Sequence, residues 1–209
     1  MSVIEPGPTG SASLVARVQA ILLSPKTEWD RIEAEPATVQ GLYTSYAMIL
    51  AAIPAIAQVI GGLFPACFMT VCVHRNPIFV LAAAIVGYVV SLAGVYLIAL
   101  IANELAPSFD GQKNQMQALK LIIYSWTAAW LAGVFAIVPL LGLLGVLGLY
   151  SFYLMYVGAP KLMKVPESKA LGYTVVTVVV AIVVYLIIGF ITGAVIGVGA
   201  IGAMSTIAR

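Results

Sequence analysis

Residues 121–160 read LIIYSWTAAWLAGVFAIVPLLGLLGVLGLYSFYLMYVGAP, forty positions without a charged side chain, bounded by Lys120 and Lys161. A helix crosses about 30 Å of hydrocarbon with about 20 apolar residues, so this run accommodates two crossings. Pro139 stands near its middle and cannot continue a helix without losing a backbone bond. The reading is therefore a tight hairpin around Val138-Pro139, with spans at 121–137 and 140–158.

Working outward, three more uncharged runs appear. Residues 42–64 form a span containing Pro54, where a kink is expected, and closed by Pro65. Residues 78–102 form another and end at Asn103-Glu104. The last run, 170–208, would reach about 58 Å as a single helix. That exceeds the bilayer, so the span is placed at 173–196, with a tail that bends or leaves the membrane.

Composition agrees. The 209 residues are 62% hydrophobic and 9% charged, against roughly a quarter charged in a soluble domain. The fold class is all-α, a polytopic transmembrane bundle of about five spans preceded by short amphipathic helices. Residues 1–10 read as a disordered tail, 11–37 as cytoplasmic or interfacial helices, and 38–209 as the five-span domain. The tail carries Glu5 and several Pro and Gly positions instead of a basic stretch leading into an apolar core, so no cleavable signal is expected.

Within 11–37, Leu14, Val15, Val18, Ile21 and Leu22 recur at helical spacing. Ser24-Pro25 restarts the chain as an N-cap and a first helical position. The second helix sets Trp29 and Ile32 on one side and Lys26, Asp30, Glu33 and Glu35 elsewhere, and Pro36 ends it. Such a segment lies at the bilayer surface with Trp29 in the headgroup zone, or caps the loops as a soluble element.

Basic residues give the orientation. Arg17, Lys26, Arg31, Lys113, Lys120, Lys161, Lys164 and Lys169 fall on the N-terminal side, and only Arg75 and Arg209 on the other. The expectation is a multi-pass protein of the inner membrane with its N-terminus in the cytoplasm.

Candidate sites are few. Cys67, Cys72 and His74 supply three of four zinc ligands. The leading reading is nevertheless two ordinary thiols, small and apolar, ahead of a disulfide across a turn and of a metal site. Gly189, Gly193 and Gly197 repeat every four residues, a stripe for close helix packing, within the bundle or against a second copy. Ala83, Gly87 and Ser91 make a similar row, and Gly142, Gly145 and Gly148 a looser one. Tyr150, Tyr153 and Tyr156 suit an aromatic belt or a ligand-facing wall. Glu104, Asp110, Lys113, Lys120 and Lys161 gather at the cytoplasmic mouth. There Glu104 and Lys120 are expected to pair, and the cluster either ties the loops together or holds an anionic headgroup. Conspicuous polar side chains at depth are limited to Gln58 and Ser91.

No metal-protease signature, phosphate-binding loop or paired-carboxylate site is present, so no enzyme activity, cofactor or metal is expected. A net charge of +2 without a basic, aromatic-interleaved patch points away from nucleic acid.

The blocks Ile21-Leu22-Leu23-Ser24-Pro25-Lys26-Thr27-Glu28-Trp29, Ala106-Pro107-Ser108-Phe109, Gly111-Gln112-Lys113-Asn114 and Gln117-Ala118-Leu119-Lys120 stand in order along the chain. Tyr124-Ser125, Tyr156-Val157-Gly158 with Pro160-Lys161-Leu162, and Lys169-Ala170 with Gly172-Tyr173 complete the series. In these blocks the chain resembles the Yip (Ypt-interacting protein) domain family, and within it the bacterial branch. The resemblance implies five spans and a cytoplasmic N-terminus. The Asp-Leu-Tyr-Gly-Pro signature of the eukaryotic members, which are associated with Rab-type GTPases, has no counterpart here, so GTPase binding is not implied. Asp110 stands where the bacterial members lead one to expect glycine, and Ala128 where proline is frequent, which argues against a kink in the third span. The leading functional expectation is a non-enzymatic scaffold or adaptor that engages membrane lipids and a protein partner at the cytoplasmic face. A small transporter or lipid-handling protein is the alternative.

Overall fold

The computed structural model describes residues 13–207 apart from 65, 69, 70, 74 and 75, and for 66–68, 71–73, 139, 140, 142, 188 and 191–207 it describes the backbone alone. Two short helices come first, α1 (Leu14–Leu23) and α2 (Pro25–Ala34). Ser13 caps α1, its hydroxyl accepting from the Ala16 amide, and Pro25 opens α2 with Glu28 in its first turn. Five helices long and apolar enough to cross a membrane follow: α3 (Val39–Leu63), α4 (Pro77–Leu105), α5 (Gln115–Ile137), α6 (Leu143–Leu162) and α7 (Glu167–Ile207). This is a multi-pass membrane protein.

The hairpin expected around Val138 is there. Val138 is extended, with φ −115° and ψ 115°. The chain on either side is tightened into 3-10 helix, Gly133–Ile137 at the end of α5 and Pro139–Leu149 after the turn, the latter including the start of α6. Residues three apart eclipse in a 3-10 helix, so Gly145 and Gly148 share a face more closely than α-helical geometry would allow.

Other boundaries shift. The third span begins six residues earlier than its uncharged run, because Asn114 caps α5 by accepting from the Gln117 amide and carries Lys120 inside the helix. The absence of proline at Ala128 does not leave that span regular. It is interrupted at Trp126, where the Thr127 hydroxyl donates to the Tyr124 carbonyl. The last helix continues to Ile207, beyond the span end placed at 196. Between α3 and α4, Ala66–Phe68 (β1) and Val71–Val73 (β2) form an antiparallel hairpin that sets Cys67 opposite Cys72. His74 and Arg75, and the side chains of both cysteines, lie outside the described residues, so the zinc, thiol and disulfide readings stay with the sequence.

In the bundle α4 touches α3, α5 and α7, while α6 closes the ring between α5 and α7. The core gathers Val95 and Ile98 of α4, Leu119 and Ile122 of α5, Leu154 of α6 and Tyr173 of α7. The outer faces are apolar, with Ile56, Leu81, Val89, Leu143, Val179 and Leu186 all exposed. A water-facing surface does not look like that; a lipid-facing one does. Close approach is made at particular glycines. A Cβ on Gly133 would stand 2.5 Å from the Pro54 Cβ, and one on Gly62 2.6 Å from Val80.

Candidate functional site

The α1–α2 pair sits on the N-terminal side of the bundle and fixes the geometry of everything polar there. Trp29 does not reach the outer surface of the cap. It is fully buried, edge-on to Tyr124 with centroids 6.4 Å apart, and lies so close to Gly158 that a Cβ there would be 2.6 Å from its ring. Ile21 and Ile32 are buried beside it. The cap reading of this segment is the one the contacts support. At the other end of the pair, the Tyr150 hydroxyl donates to the Leu22 carbonyl at 3.0 Å. Tyr150, Tyr153 and Tyr156 are otherwise exposed on the outside of α6.

Beneath the cap lies a network of charges, buried at Arg17 and Glu28 and half-exposed at Glu35. Arg17, 6% exposed, donates to the Glu28 carboxylate, itself 2% exposed, and to both Glu35 oxygens at 2.6 Å. Burial works against the Arg17 charge, but the Glu35 carboxylate, with Tyr124 and Glu28 adding to it, outweighs that and holds its pKa above the ordinary value. A base raised in this way contributes stability in full below its unfolded pKa and loses it only as pH climbs through the folded one. The contribution therefore persists through the neutral range.

Lys120, 3% exposed, reaches up from α5 to the end of α2. Its ammonium donates to the Ile32 carbonyl at 2.8 Å and the Glu35 carbonyl at 2.5 Å. These carbonyls carry the negative end of the helix dipole and lack partners within the helix, so a cation from a neighbouring span caps α2. Gln117, one turn earlier on α5, donates to the Glu33 carbonyl at 3.1 Å. Below, the Tyr46 and Thr127 hydroxyls share a 2.8 Å hydrogen bond, and Tyr46 packs on Tyr124.

The expected Glu104–Lys120 pair does not form. Glu104 pairs instead with Lys113, Asp110 with Lys169, and Lys161 with Asp30 at 2.6 Å, while Lys164 pairs with Glu33. Of the five residues expected at the mouth, Lys120 therefore belongs to the buried network, and the other four lie in separate exposed pairs around it. Two of those pairs, Lys161–Asp30 and Lys164–Glu33, tie the cap to α6 and the loop behind it. Asp110 has φ 59°, the left-handed region in which glycine costs nothing. That accounts for the glycine expected at this position. Just beyond it, the Gln112 amide donates to the Met163 carbonyl, joining the two loops. Gly189 has nothing within 4 Å of where a Cβ would stand, as does Gly87. Gly193 and Gly197 fall among the residues described by backbone alone.

Sequence reasoning missed Arg17, Glu28 and Glu35. The signal was present. Arg17 is the sole charge in its helix, and Glu28 is the acidic residue in the first turn of the next.

Between α1, the α2–α3 loop, α3 and α5 lies a cavity of about 460 Å³, with Arg17, Glu35, Thr38, Ser45 and Lys120 on its walls and Tyr46 and Tyr124 at its floor. A second recess, of about 420 Å³, opens between α5, α6 and α7 and is almost wholly apolar. Among the described residues no His, Cys, Asp or Glu cluster could hold a metal ion.

The Yip1 domain model matches residues 20–189. The chain belongs to the Yip1 domain family. The match begins within α1 and ends within α7, so the cap and all five spans of this Yip1 domain are parts of one family unit. No curated protein and no solved structure matches the chain.

Proposed function

We propose that this Yip1-domain protein is a non-enzymatic scaffold or adaptor of the inner membrane, N-terminus in the cytoplasm, whose α1–α2 cap presents a docking face to another protein. The observation that carries this reading is the anchoring of α2. Its inner side is fixed by Trp29, by the Lys120 cap and by the Arg17 network, while Lys26, Thr27, Asp30 and Arg31 stay exposed on the outer side. A helix locked so firmly offers a preorganised surface, which lowers the ordering cost of binding. The excess of basic residues on that side supports the orientation. The row Gly189, Gly193 and Gly197, open at Gly189, offers a second copy a place to approach.

A photo-crosslinking residue at Arg31, 73% exposed, tests the docking face, with the lipid-facing Val179 as reference. In native membranes position 31 should give one discrete protein adduct and position 179 none. Adducts at neither position, or the same adducts at both, would contradict a docking face on the cap.

A further inference from the structure

The cavity beneath the cap differs from the rest of the bundle surface in having charged walls at the start of a membrane span. α3 begins there. Its cap residue Thr38 and, from its first turns, Gly41 and Ser45 line the cavity, and Ser45 is exposed just before the lipid-facing Met48 and Ile49. A polar notch therefore opens beside lipid where a span enters the bilayer, its sides closed by α1 and α5.

The charges around the notch cancel. Arg17 and Lys120 are opposed by Glu35 on the wall and Glu28 behind it, two cations against two carboxylates. The Glu35 side chain is 44% exposed, so its negative charge faces whatever enters. An anionic headgroup would meet that carboxylate with no surplus cation to answer it. A headgroup carrying both signs meets a complement for each. The volume, about 460 Å³, falls within the 300–1,000 Å³ or so usual for small-molecule sites.

We infer that this cavity holds the headgroup of one zwitterionic glycerophospholipid, with its phosphodiester beside Lys120 and the Thr38 and Ser45 hydroxyls and its ammonium at Glu35. The acyl chains then run down the apolar outer side of α3. The site is independent of any protein docking on the outer side of α2.

The test is native mass spectrometry of the full chain released from nanodiscs of equimolar phosphatidylethanolamine and phosphatidylglycerol. One phosphatidylethanolamine should be retained per chain, favoured over phosphatidylglycerol on the order of tenfold, which corresponds to about 1.4 kcal/mol. Ser45→Trp fills the notch without touching the charges and should abolish retention, whereas Val86→Trp on the lipid side of α4 should not. In a separate measurement that needs no variant, dihexanoyl phosphatidylethanolamine should raise the melting temperature of the wild-type protein in detergent, and inorganic phosphate should not. Equal retention of the two lipids, unchanged retention in a folded Ser45→Trp protein, or an equal response to inorganic phosphate overturns the assignment. Since the docking face is read by crosslinking at position 31, either idea can fail alone.

Discussion

Arg17 shows why a buried charge is strong evidence of arrangement and weak evidence of stability. Two charges taken out of water lose about as much in solvation as they regain from each other, but removing one of them strands its partner. Arg17→Met leaves Glu28, 2% exposed, with only the longer 3.4 Å contact to the exposed Arg31 as counter-charge and should destabilise the fold by about 3 kcal/mol, read by denaturant titration in mixed micelles. Adding Glu28→Leu should return more than half of that loss, because the stranded charge is gone. A double variant as unstable as the single one would mean that Arg17 acts through packing instead. The lone charge of Arg17 was visible in the sequence, but its pairing with Glu28 was not. Helical spacing says which side chains share a face, but the Arg17–Glu28 contact crosses a turn between two helices. The Glu104–Lys120 pair failed for the same reason, since adjacency of span ends does not reveal that α2 carbonyls will claim the lysine first.

At the scale of elements, the account depends on how α2 is seated. Its amphipathic pattern was plain, but the pattern alone does not distinguish a bilayer surface from a protein surface, because both are apolar. The distinction comes from Gly158 on α6, which leaves room for the Trp29 ring against Leu121. Gly158→Ala places a methyl group 2.6 Å from that ring and 2.7 Å from the Leu121 side chain, and the rigid indole must move. The expected cost is about 1–3 kcal/mol, with a lower melting temperature in detergent. Gly87→Ala, where nothing stands within 4 Å, should leave that temperature unchanged. If the two variants behave alike, α2 is not held by this contact. The 3-10 stretches around Val138 belong to this scale too. The proline marked the turn, but nothing local announced that the chain on either side would wind more tightly.

Over the whole molecule, the spans were the most legible feature, because a run of uncharged residues long enough to cross hydrocarbon has few other uses. Their ends were less so. Lys120 and Lys161 bounded the decisive run, yet both lie inside helices. A charge can remain on a spanning helix when backbone carbonyls or a carboxylate from another element neutralise it. The orientation rests on the distribution of basic residues, and the cap, the docking face and the headgroup site all inherit their compartment from it. The most direct test is labelling of intact cells with a membrane-impermeant thiol reagent, on a background in which Cys67 and Cys72 are replaced by serine. Arg75→Cys, between the first two spans, should be labelled in intact cells. Lys26→Cys on α2 and Lys113→Cys before α5 should be labelled only after permeabilisation, and labelling of position 26 or 113 in intact cells would contradict the account.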